Sequence, residues 1–297
     1  MLSDRILGPV VKRARDPVHR QIALNRTVAK NWSLFADHRR RVTDLIRASR
    51  GDAPGPLYVL GAGNCNDLDL PRLATAYDEI HLVDLDLGAL RAGVRRQAAS
   101  GGRIHCHRVD LSGVASSLRR WTVSSPSNVD IDRCLFRLED GAERRWPGRA
   151  AANVVASTGL LSQMTGMAIR TLGVDHPRAF EVALAIRDAH LSHLAQILEP
   201  NGTGVVITDI TSSGTVGSLD RVDRSGLLAL TERLADLGDV TTGTNPLGIE
   251  ASLRMQPENL AVTHVTRHEP WVWNLTPTKA ELMVAISFRR ADGRDGT

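Results

Sequence analysis

The 297-residue sequence has few cysteines, few aromatic residues and no long apolar run. No stretch approaches the roughly 18 consecutive apolar residues of a membrane span, and residues 1–50 lack the apolar centre of a signal peptide. The three cysteines, Cys65, Cys106 and Cys134, are odd in number and lack the paired spacing of zinc ligands. We therefore expect a cytoplasmic protein with no membrane partner, no disulfide framework and no metal site.

Lysine is also scarce, with only Lys12, Lys30 and Lys279, so arginine supplies nearly all of the positive charge. Residues 1–50 hold 12 of the 37 Lys and Arg and 4 of the 33 Asp and Glu, a net charge of +8, whereas the rest of the chain carries −4. The 42% of hydrophobic residues excludes a disordered chain. A basic arm can bind nucleic acid, so the uneven charge needs an explanation.

Apolar residues within the basic segment recur at three- and four-residue steps, which is the pattern of an amphipathic helix. The stripe consists of Leu24, Val28, Trp32 and Phe35. It predicts one or two helices between residues 17 and 46, with the arginines at positions 39–41 on the outer side. The breaker sequence DAPGP at residues 52–56 then marks the end of an N-terminal helical cap, residues 1–52.

Short apolar runs alternate with helical patterns along the next part of the chain, as in βαβ units with a parallel sheet. The predicted strands of this kind span residues 57–60, 80–83, 104–109, 153–156 and 205–208. The predicted helices span residues 68–77, 87–99, 180–198 and 227–237, and a helix-ending sequence, EPNG, follows at 199–202. Residues 112–150 are less regular, and we expect an insertion or a decorated crossover there.

The last part of the chain alternates like two strands, at residues 260–273 and 281–289, with a turn at 276–278 between them. Two strands joined by a short turn are antiparallel. We therefore expect one domain over residues 53–292, followed by a tail at residues 293–297.

The most informative stretch is LYVLGAGNCNDLDL, residues 57–70, together with HLVDLD, residues 81–86. A strand that runs into G-x-G and then a helix lets backbone N–H groups approach a nucleotide-like ligand, because glycine has no Cβ to hold the ligand away. Asp84 ends the second strand and is placed to accept both hydroxyls of a ribose. Asp110 ends the third strand and suits the exocyclic amine of adenine. The alternatives are a helix cap for Asp84 and an ordinary loop carboxylate for Asp110.

The turn itself indicates which adenosine ligand is bound. A dinucleotide fingerprint needs glycine or alanine at position 66, where Asn66 stands, so a nicotinamide-dependent oxidoreductase is a distant alternative. The turn carries Asp67 and Asp69 and no basic residue that could meet a pyrophosphate. These charges favour a cationic ligand such as S-adenosylmethionine, which has a sulfonium and an ammonium group.

These motifs resemble those of the class I S-adenosylmethionine-dependent methyltransferase superfamily over roughly residues 55–290. VLGAGNCND is similar to the first motif of that family, LVDLD to the second and RVDL, residues 108–111, to the third. The resemblance implies an α/β fold with a Rossmann-like, mostly parallel sheet of seven strands and helices on both faces. The implied strand order is 3-2-1-4-5-7-6, with the last strand antiparallel and an N-terminal helical extension in front.

The resemblance also implies a cofactor, S-adenosylmethionine, and a set of residues that bind it. These residues are Gly61, Ala62, Gly63, Asn64, Asp84, Leu85, Asp110, Leu111 and Ser157. The family pattern often has a third glycine where Cys65 stands, and we interpret this cysteine as a small packing residue. In methyltransferases of this kind, helices before the first strand often cover the cleft, so the resemblance favours a lid over a nucleic-acid arm for the basic segment.

The methyl acceptor leaves fewer signals. The fourth strand ends in ASTG, residues 156–159, and not in the D/N-P-P-Y/F sequence that resembles amino-group methylation of nucleic-acid bases. Asp209, after the fifth strand, and His190 and His193, on the helix before it, are candidate general bases. Packing in the core or at the surface is the default role for both histidines. The loop at residues 158–167 is a candidate wall of the acceptor site.

We therefore expect methyl transfer to a small-molecule acceptor, with the acceptor atom, the need for a general base and the oligomeric state left open. Three other functions remain alternatives at this point. The chain could be a cofactor-binding regulatory protein that transfers nothing, or an RNA or protein methyltransferase that grips its substrate with the basic segment. It could also transfer an aminopropyl group from decarboxylated S-adenosylmethionine.

Overall fold

The computed structural model describes residues 16–51, 55–98, 103–140 and 151–292. The expectations for residues 1–15, for residues 141–150 of the expected insertion and for the tail at 293–297 lie outside the described residues. Within the described ranges, no helix combines the length and the hydropathy that crossing a membrane requires.

Two helices precede the sheet: α1, Pro17–Val28, and α2, Ala36–Ala48. Asp16 caps α1 by accepting a hydrogen bond from the N–H of Val18 at 2.9 Å, and Pro17 takes the first helical position, where an N–H has no partner in any case. The prediction of one or two helices in this segment is therefore correct, with two helices present.

The prediction that the arginines at positions 39–41 lie on the outer side is wrong for Arg39 and Arg41. Arg40 is exposed and pairs with Asp37. The Arg39 guanidinium instead lies 3.6 Å from the ring centre of Trp32, and Arg41 lies over Trp271. Guanidinium groups stack on aromatic faces, and the stretch between the two helices brings Trp32 back over α2.

The sheet begins with β1, Leu57–Leu60, α3, Leu70–Ala74, β2, Ile80–Asp84, α4, Leu87–Arg96, and β3, Ile104–Arg108. All three strands lie within one residue of their predicted bounds. Helix α3 is shorter than predicted because it starts only at Leu70, where Asp69 accepts a hydrogen bond from the N–H of Arg72 at 3.1 Å.

The chain continues with α5, Ala115–Trp121, α6, Asn128–Asp140, β4, Ala152–Thr158, α7, Leu161–Leu172, α8, Ala179–Ile197, and β5, Leu198–Ser212. The irregular segment predicted at 112–150 thus contains two helices in its described part. Strand β5 begins earlier than predicted, since Leu198 already pairs with Ala152. The helix-ending sequence at 199–202 lies inside this strand, where Asn201 has φ +65°.

The remaining elements are α9, Ser213–Val216, α10, Arg224–Leu237, α11, Pro246–Arg254, β6, Val262–Arg267, β7, Trp271–Thr276, and β8, Lys279–Arg290. Short 3-10 turns lie at Leu219–Arg221 and Glu258–Leu260. The single strand predicted at 260–273 is therefore two strands. Both strands pair with β8, each with a different part of it. The predicted strand is therefore in the correct place but is broken into two. The interruption contains Pro270, which has no N–H to donate to the sheet.

The strand order in the sheet is β3-β2-β1-β4-β5-β8-β6, with β7 also paired to β8. The first five strands are parallel to one another, and β8 is antiparallel to β5, β6 and β7. The predicted order 3-2-1-4-5-7-6 is confirmed, with β8 in the place of its antiparallel strand.

Helices cover both faces of the sheet, also as predicted. Strand β1 is buried on both sides: Leu57 and Val59 belong to a core that includes residues of α2, α3 and α4. Tyr58 and Leu60 point to the other face, where α5 to α8 and α11 complete a larger core. Because parallel strands end at one common edge of such a sheet, the loops after β1, β2, β4 and β5 are brought together there.

Candidate functional site

The turn after β1 contains three residues in the left-handed region of backbone conformation. Gly61 has φ +81°, Gly63 has φ +46° and Cys65 has φ +54°. A Cβ at Gly61 would lie 2.8 Å from the Cβ of Leu160 and 3.0 Å from the carbonyl oxygen of Thr158. Glycine is therefore required at 61 by both the backbone and the loop after β4. The conformation of Cys65 explains why glycine is often found at its position in the family pattern.

Helix α4 supports this turn from one side. The guanidinium of Arg96 donates to the carbonyl oxygen of Asn64 at 2.6 Å, and the side-chain amide of Gln97 donates to that of Cys65 at 2.9 Å. Gly93 lies so close that a Cβ there would be 2.4 Å from the same Asn64 oxygen. Burial raises the pKa of the Cys65 thiol, so this cysteine stays protonated and acts in packing, as expected from the sequence.

Helix α1 is attached to the other side of the turn. The side-chain amide of Asn64 donates to the carbonyl oxygen of Asn25 at 2.5 Å, and that of Asn66 donates to the carbonyl oxygen of Val28 at 2.8 Å. The amide of Asn25 in turn donates to Asp86 at 3.4 Å. The last turn of α1 is thus fixed over the glycine turn by two hydrogen bonds that the turn donates, and to the start of α4 by the one that Asn25 donates.

Asp84 ends β2 beside the turn and is only 5% exposed. Its two carboxylate oxygens accept hydrogen bonds from the N–H groups of Gly63 at 3.0 Å and Asp86 at 2.9 Å. Each oxygen retains a lone pair for a further donor. Burial raises the pKa of Asp84. The helix cap that was the alternative for Asp84 is made by Asp86, which accepts from the N–H of Ala89 at 3.0 Å.

A cavity of about 690 Å³ opens at this edge of the sheet. The turn and β2 contribute Gly61, Ala62, Gly63, Asn64 and Asp84 to its lining. Helix α1 forms one wall with Arg20, Gln21, Leu24, Asn25 and Val28. The loop after β4 and the start of α7 contribute Thr158, Gly159, Ser162, Gln163, Gly166 and Met167. The predicted acceptor wall, residues 158–167, is therefore part of this cavity, but the prediction of a loop there is wrong from Leu161 onward, where α7 begins.

A small cleft of about 20 Å³, room for roughly one water molecule, adjoins the cavity. Four predicted cofactor residues line it, namely Asp84, Leu85, Asp110 and Leu111. The cleft shares Gln21, Asp84, Gln163 and Met167 with the large cavity, and Met164 forms another part of its wall. A ring needs more room than this, which the flexible methionine and glutamine side chains of the wall can provide by moving.

Asp110 also has a local task. Its carboxylate accepts hydrogen bonds from the N–H and the hydroxyl of Ser112, at 3.0 and 2.6 Å, and from the N–H of Ala115 at 2.9 Å. These bonds shape the turn between β3 and α5.

Asp110→Ala is expected to destabilise the ligand-free protein by about 1–2 kcal/mol, because it removes the acceptor of these hydrogen bonds. Urea denaturation measures the change. Asp110→Asn is the matched control, since it keeps one acceptor oxygen and should lose less. Equal stability of Asp110→Ala and the parent protein would contradict the local role.

A second polar group in the cavity comes from β5 and β8. Asp209 is largely buried, and its carboxylate accepts a hydrogen bond from the hydroxyl of Ser162 at 2.5 Å. Burial raises the pKa of Asp209. Glu281, which is 6% exposed, forms an ion pair with Lys279. Ser212 of β5 pairs with Glu281 of β8, which places the two carboxylates on neighbouring strands near one end of the sheet.

The Glu281 carboxyl makes stability depend on pH. Burial raises its pKa from 4.5 to about 7, with a further contribution from Asp209 and opposition from Lys279. The folded state therefore holds this proton more tightly than the unfolded state, so its contribution to stability is present below pH 4.5 and is lost as pH rises through about 7.

Glu281→Gln is therefore expected to gain stability relative to the parent protein as pH rises from about 5 to about 8, by at most about 1.4 kcal/mol per pH unit. Urea denaturation of both proteins at the two pH values measures the difference. Glu232→Gln, at an exposed site on α10, is the control and should show no such trend. A stability difference that is constant with pH would show that burial does not hold the Glu281 proton.

Comparisons of the whole fold with known structures find solved methyltransferases among the matches. No family model matches the sequence, and no curated protein does. The structure is similar to an O-methyltransferase family protein from Burkholderia thailandensis, with 15% identity and a TM-score of 0.47 over 93% of this chain and 61% of that one. It is also similar to the N-methyltransferase NodS from Bradyrhizobium japonicum, with 10% identity and a TM-score of 0.45 over 87% of this chain and 97% of that one.

The strand order decides the fold. Five parallel strands in the order β3-β2-β1-β4-β5 are followed by an antiparallel β8 and then β6, with the glycine turn directly after β1. The chain has the class I methyltransferase fold. In this fold, the cavity lies where open α/β sheets bind their ligands, outside the carboxyl ends of the parallel strands.

Three predicted residues lie elsewhere in the methyltransferase fold. Ser157 is buried in β4, and its hydroxyl lies 2.9 Å from Nε2 of His190 on α8. His193, on the same helix, is also buried. None of the three is among the described residues that line the cavity or the cleft. Of the three candidate bases, only Asp209 lines the cavity.

Sequence patterns do not single out Ser162, Lys279 and Glu281 as site residues. Two of the three, Lys279 and Glu281, nevertheless leave a signal in the sequence. Lys279 is one of only three lysines, and Glu281 is an acidic residue near the start of an otherwise apolar strand. Their meaning depends on the pairing of β5 with β8, which brings both into the same cavity as the glycine turn.

Proposed function

We propose that this protein transfers a methyl group from S-adenosylmethionine to a small-molecule acceptor. The observation that carries the proposal is a single cavity that contains both the glycine turn with Asp84 and the group of Asp209, Glu281 and Lys279. Its volume of about 690 Å³ falls within the range of roughly 300–1,000 Å³ that is typical of small-molecule sites. Residues 1–52 act as a cap in this proposal, with α1 as a wall of the cavity.

The residues around the turn fit the cofactor. Gly61 and Gly63 leave the backbone open to the methionine part of the ligand, and the buried carboxylate of Asp84 retains lone pairs for the ribose hydroxyls. Leu85 and Leu111 offer apolar contacts to an adenine in the adjoining cleft, beside Asp110. When bound, the cofactor supplies an electrophilic methyl group on a positively charged sulfur.

The second polar group can hold and orient an acceptor. Strand β5 lies two strands from β1 in the sheet, a distance of roughly 10 Å, so Asp209 is set apart from the cofactor turn by the width of a small ligand. The Asp209 carboxylate can accept the proton that an O–H or N–H acceptor loses, and Ser162 fixes its orientation. Lys279 and Glu281 add a donor and an acceptor for positioning, which supplies much of the acceleration in methyl transfer.

The depth of this group favours a small acceptor over a polymer. Glu281 is 6% exposed, and Lys279 beside it has a side chain only 12% exposed. A ligand therefore reaches them from within the cavity, one wall of which is α1. A small metabolite fits whole into a volume of this size, whereas an RNA or a protein can insert no more than one flipped base or one side chain.

Isothermal titration calorimetry with S-adenosylmethionine and S-adenosylhomocysteine tests the cofactor. We expect one equivalent of each to bind, and absence of binding by both would overturn the proposal. A second assay uses S-adenosylmethionine labelled in its methyl group, incubated with the protein and with either the low-molecular-weight or the macromolecular fraction of a bacterial extract. Label should pass to a compound of the first fraction. Label in the macromolecular fraction would favour an RNA or protein acceptor, and cofactor binding without any transfer would favour a regulatory protein.

A further inference from the structure

Three histidines and one glutamate form a cluster at the β3 edge of the sheet, outside the cavity described above. His81 on β2 pairs with His105 on β3, and His107 lies two residues further along β3. Because alternate residues of a strand point to the same face, all three imidazoles share one face of the sheet. Glu79 precedes β2 and reaches the same place. We define these four residues as the histidine cluster.

The ligand atoms of the histidine cluster lie close enough together to share one metal ion. Oε2 of Glu79 lies 3.4 Å from Nε2 of His81, and Oε1 of Glu79 lies 3.6 Å from Nε2 of His105. The three ligand atoms all lie within 4.8 Å of one another. Zinc binds nitrogen and oxygen at about 2.0–2.2 Å, so two ligands at a tetrahedral angle are roughly 3.3–3.5 Å apart. A single ion can therefore contact all three side chains once they draw together and the rings of His81 and His105, which stack at 4.9 Å between ring centres and 26° between planes, turn their nitrogens toward it.

Two contacts hold the ring of His81 in position. Nδ1 of His81 lies 2.9 Å from Nε2 of His107, within hydrogen-bond distance, so Nε2 of His81 is left to face Glu79. Such a bond to the second nitrogen of a ligating histidine is the usual way in which a protein fixes the ring of a metal ligand. The ring of Tyr58 stacks on His81 at 4.2 Å between ring centres and limits its rotation further.

One ring nitrogen of the histidine cluster makes no hydrogen bond with the described residues. Nε2 of His105 is shielded from solvent and has no hydrogen-bond partner among the described residues. Its distance of 3.6 Å from Glu79 is too long for a hydrogen bond, whereas a shielded polar nitrogen ordinarily has a partner. A metal ion between the two side chains would satisfy both.

We propose that the histidine cluster binds a divalent transition metal ion through Glu79, His81 and His105, with a fourth position open to solvent. Imidazole and carboxylate ligands suit zinc and its neighbours in the transition series, whereas magnesium and calcium prefer oxygen ligands alone. Such an ion would join the edge strand β3 to β2. The cluster lies outside the cavity lining, so this proposal is independent of the proposed function.

Titration of the metal-stripped full chain, purified without a histidine tag, with zinc chloride tests the proposal. We expect one equivalent to bind and to raise the melting temperature, and no such effect from magnesium chloride. His105→Ala and Glu79→Gln should each weaken zinc binding by at least about tenfold, since even an outer partner of a metal ligand has an effect of this size. These side chains are 39% and 52% exposed, so both variants should fold, which circular dichroism checks.

Two control variants separate the cluster from other zinc-binding groups. His264→Ala removes an exposed histidine of β6, and Cys106→Ser removes the thiol between the two histidines of β3. Both should bind zinc as the parent protein does. The proposal is overturned if no stoichiometric zinc binding occurs, if both cluster variants bind like the parent protein, or if Cys106→Ser alone abolishes binding.

Discussion

Asp84→Ala is expected to weaken binding of S-adenosylhomocysteine by about 1–3 kcal/mol, or roughly 5- to 150-fold in the dissociation constant. The carboxylate is 5% exposed and lies at the cavity, so ribose hydroxyls that it accepts in the complex would lose their partner in a site with little water. The effect should exceed that of any single apolar contact in the cleft. Isothermal titration calorimetry of both proteins measures it.

The Asp84 carboxylate also accepts hydrogen bonds from the backbone, so the experiment has to separate ligand binding from support of the glycine turn. Asp84 accepts from the N–H groups of Gly63 and Asp86, so its removal can also loosen the turn. Asp84→Asn keeps one acceptor oxygen, and Asp78→Ala removes an exposed carboxylate just before the same strand. We expect the asparagine variant to lose less affinity than the alanine variant, and Asp78→Ala to lose none. Unchanged affinity in Asp84→Ala would contradict the ribose assignment, whereas a loss of stability without a loss of affinity would assign Asp84 to the turn alone.

The central strands could be predicted because their signals are local. Strands β1 and β2 are short, buried and mainly apolar runs that end before a glycine and at an aspartate, and buried parallel strands need no more than that. Strand β3, with the sequence IHCHR, is only half-buried and follows from the alternation of strands and helices. The order of the strands followed from the resemblance of their motifs to a known family. The broken edge at β6 and β7 could not be predicted, because alternation continues through the break and only the pairing with β8 shows where each part begins.

The candidate site also has one part that could be predicted from the sequence and one part that could not. The glycine turn and Asp84 belong to two successive motifs and could be located from the sequence. Glu281 and Lys279 come to the cavity through the antiparallel pairing of β8 with β5, a contact that no local pattern contains. The histidine cluster is hidden for a related reason, since its members alternate with apolar residues along two strands and meet only through their register.

Part of the basic charge in residues 16–51 has partners within the protein. Arg39 donates to the carbonyl oxygen of Asn66 at 3.1 Å and stacks on Trp32, and Arg96 of α4 stacks on the same ring at 4.6 Å. Asp16, at the start of α1, pairs with Arg119 of α5 at 2.9 Å. These contacts join the N-terminal helices to the glycine turn and to the domain, which supports a cap more than an arm that reaches for nucleic acid.

Gly93→Ala should destabilise the protein by about 1–3 kcal/mol, although alanine is the better helix former. Propensity alone would favour the alanine in α4 by about 1 kcal/mol. A Cβ at this position, however, would lie 2.4 Å from the carbonyl oxygen of Asn64 and 2.9 Å from the Sγ of Cys65. The Asn64 oxygen is part of the backbone of the glycine turn and cannot rotate away as a side chain would, so α4 or the turn has to shift. We expect affinity for S-adenosylhomocysteine to fall as well, because the turn carries the cofactor residues.

A second glycine provides the matched control. At Gly248, in helix α11, the nearest atom to an added Cβ is the end of the flexible Arg187 side chain at 3.0 Å. Gly248→Ala should therefore be neutral or stabilising by up to about 1 kcal/mol, as propensity predicts. Urea denaturation and calorimetry on both variants measure the contrast. If Gly93→Ala were as stable as Gly248→Ala and bound S-adenosylhomocysteine normally, close packing of α4 would not fix the turn. The hydrogen bonds from Arg96 and Gln97 would then be the remaining support on that side.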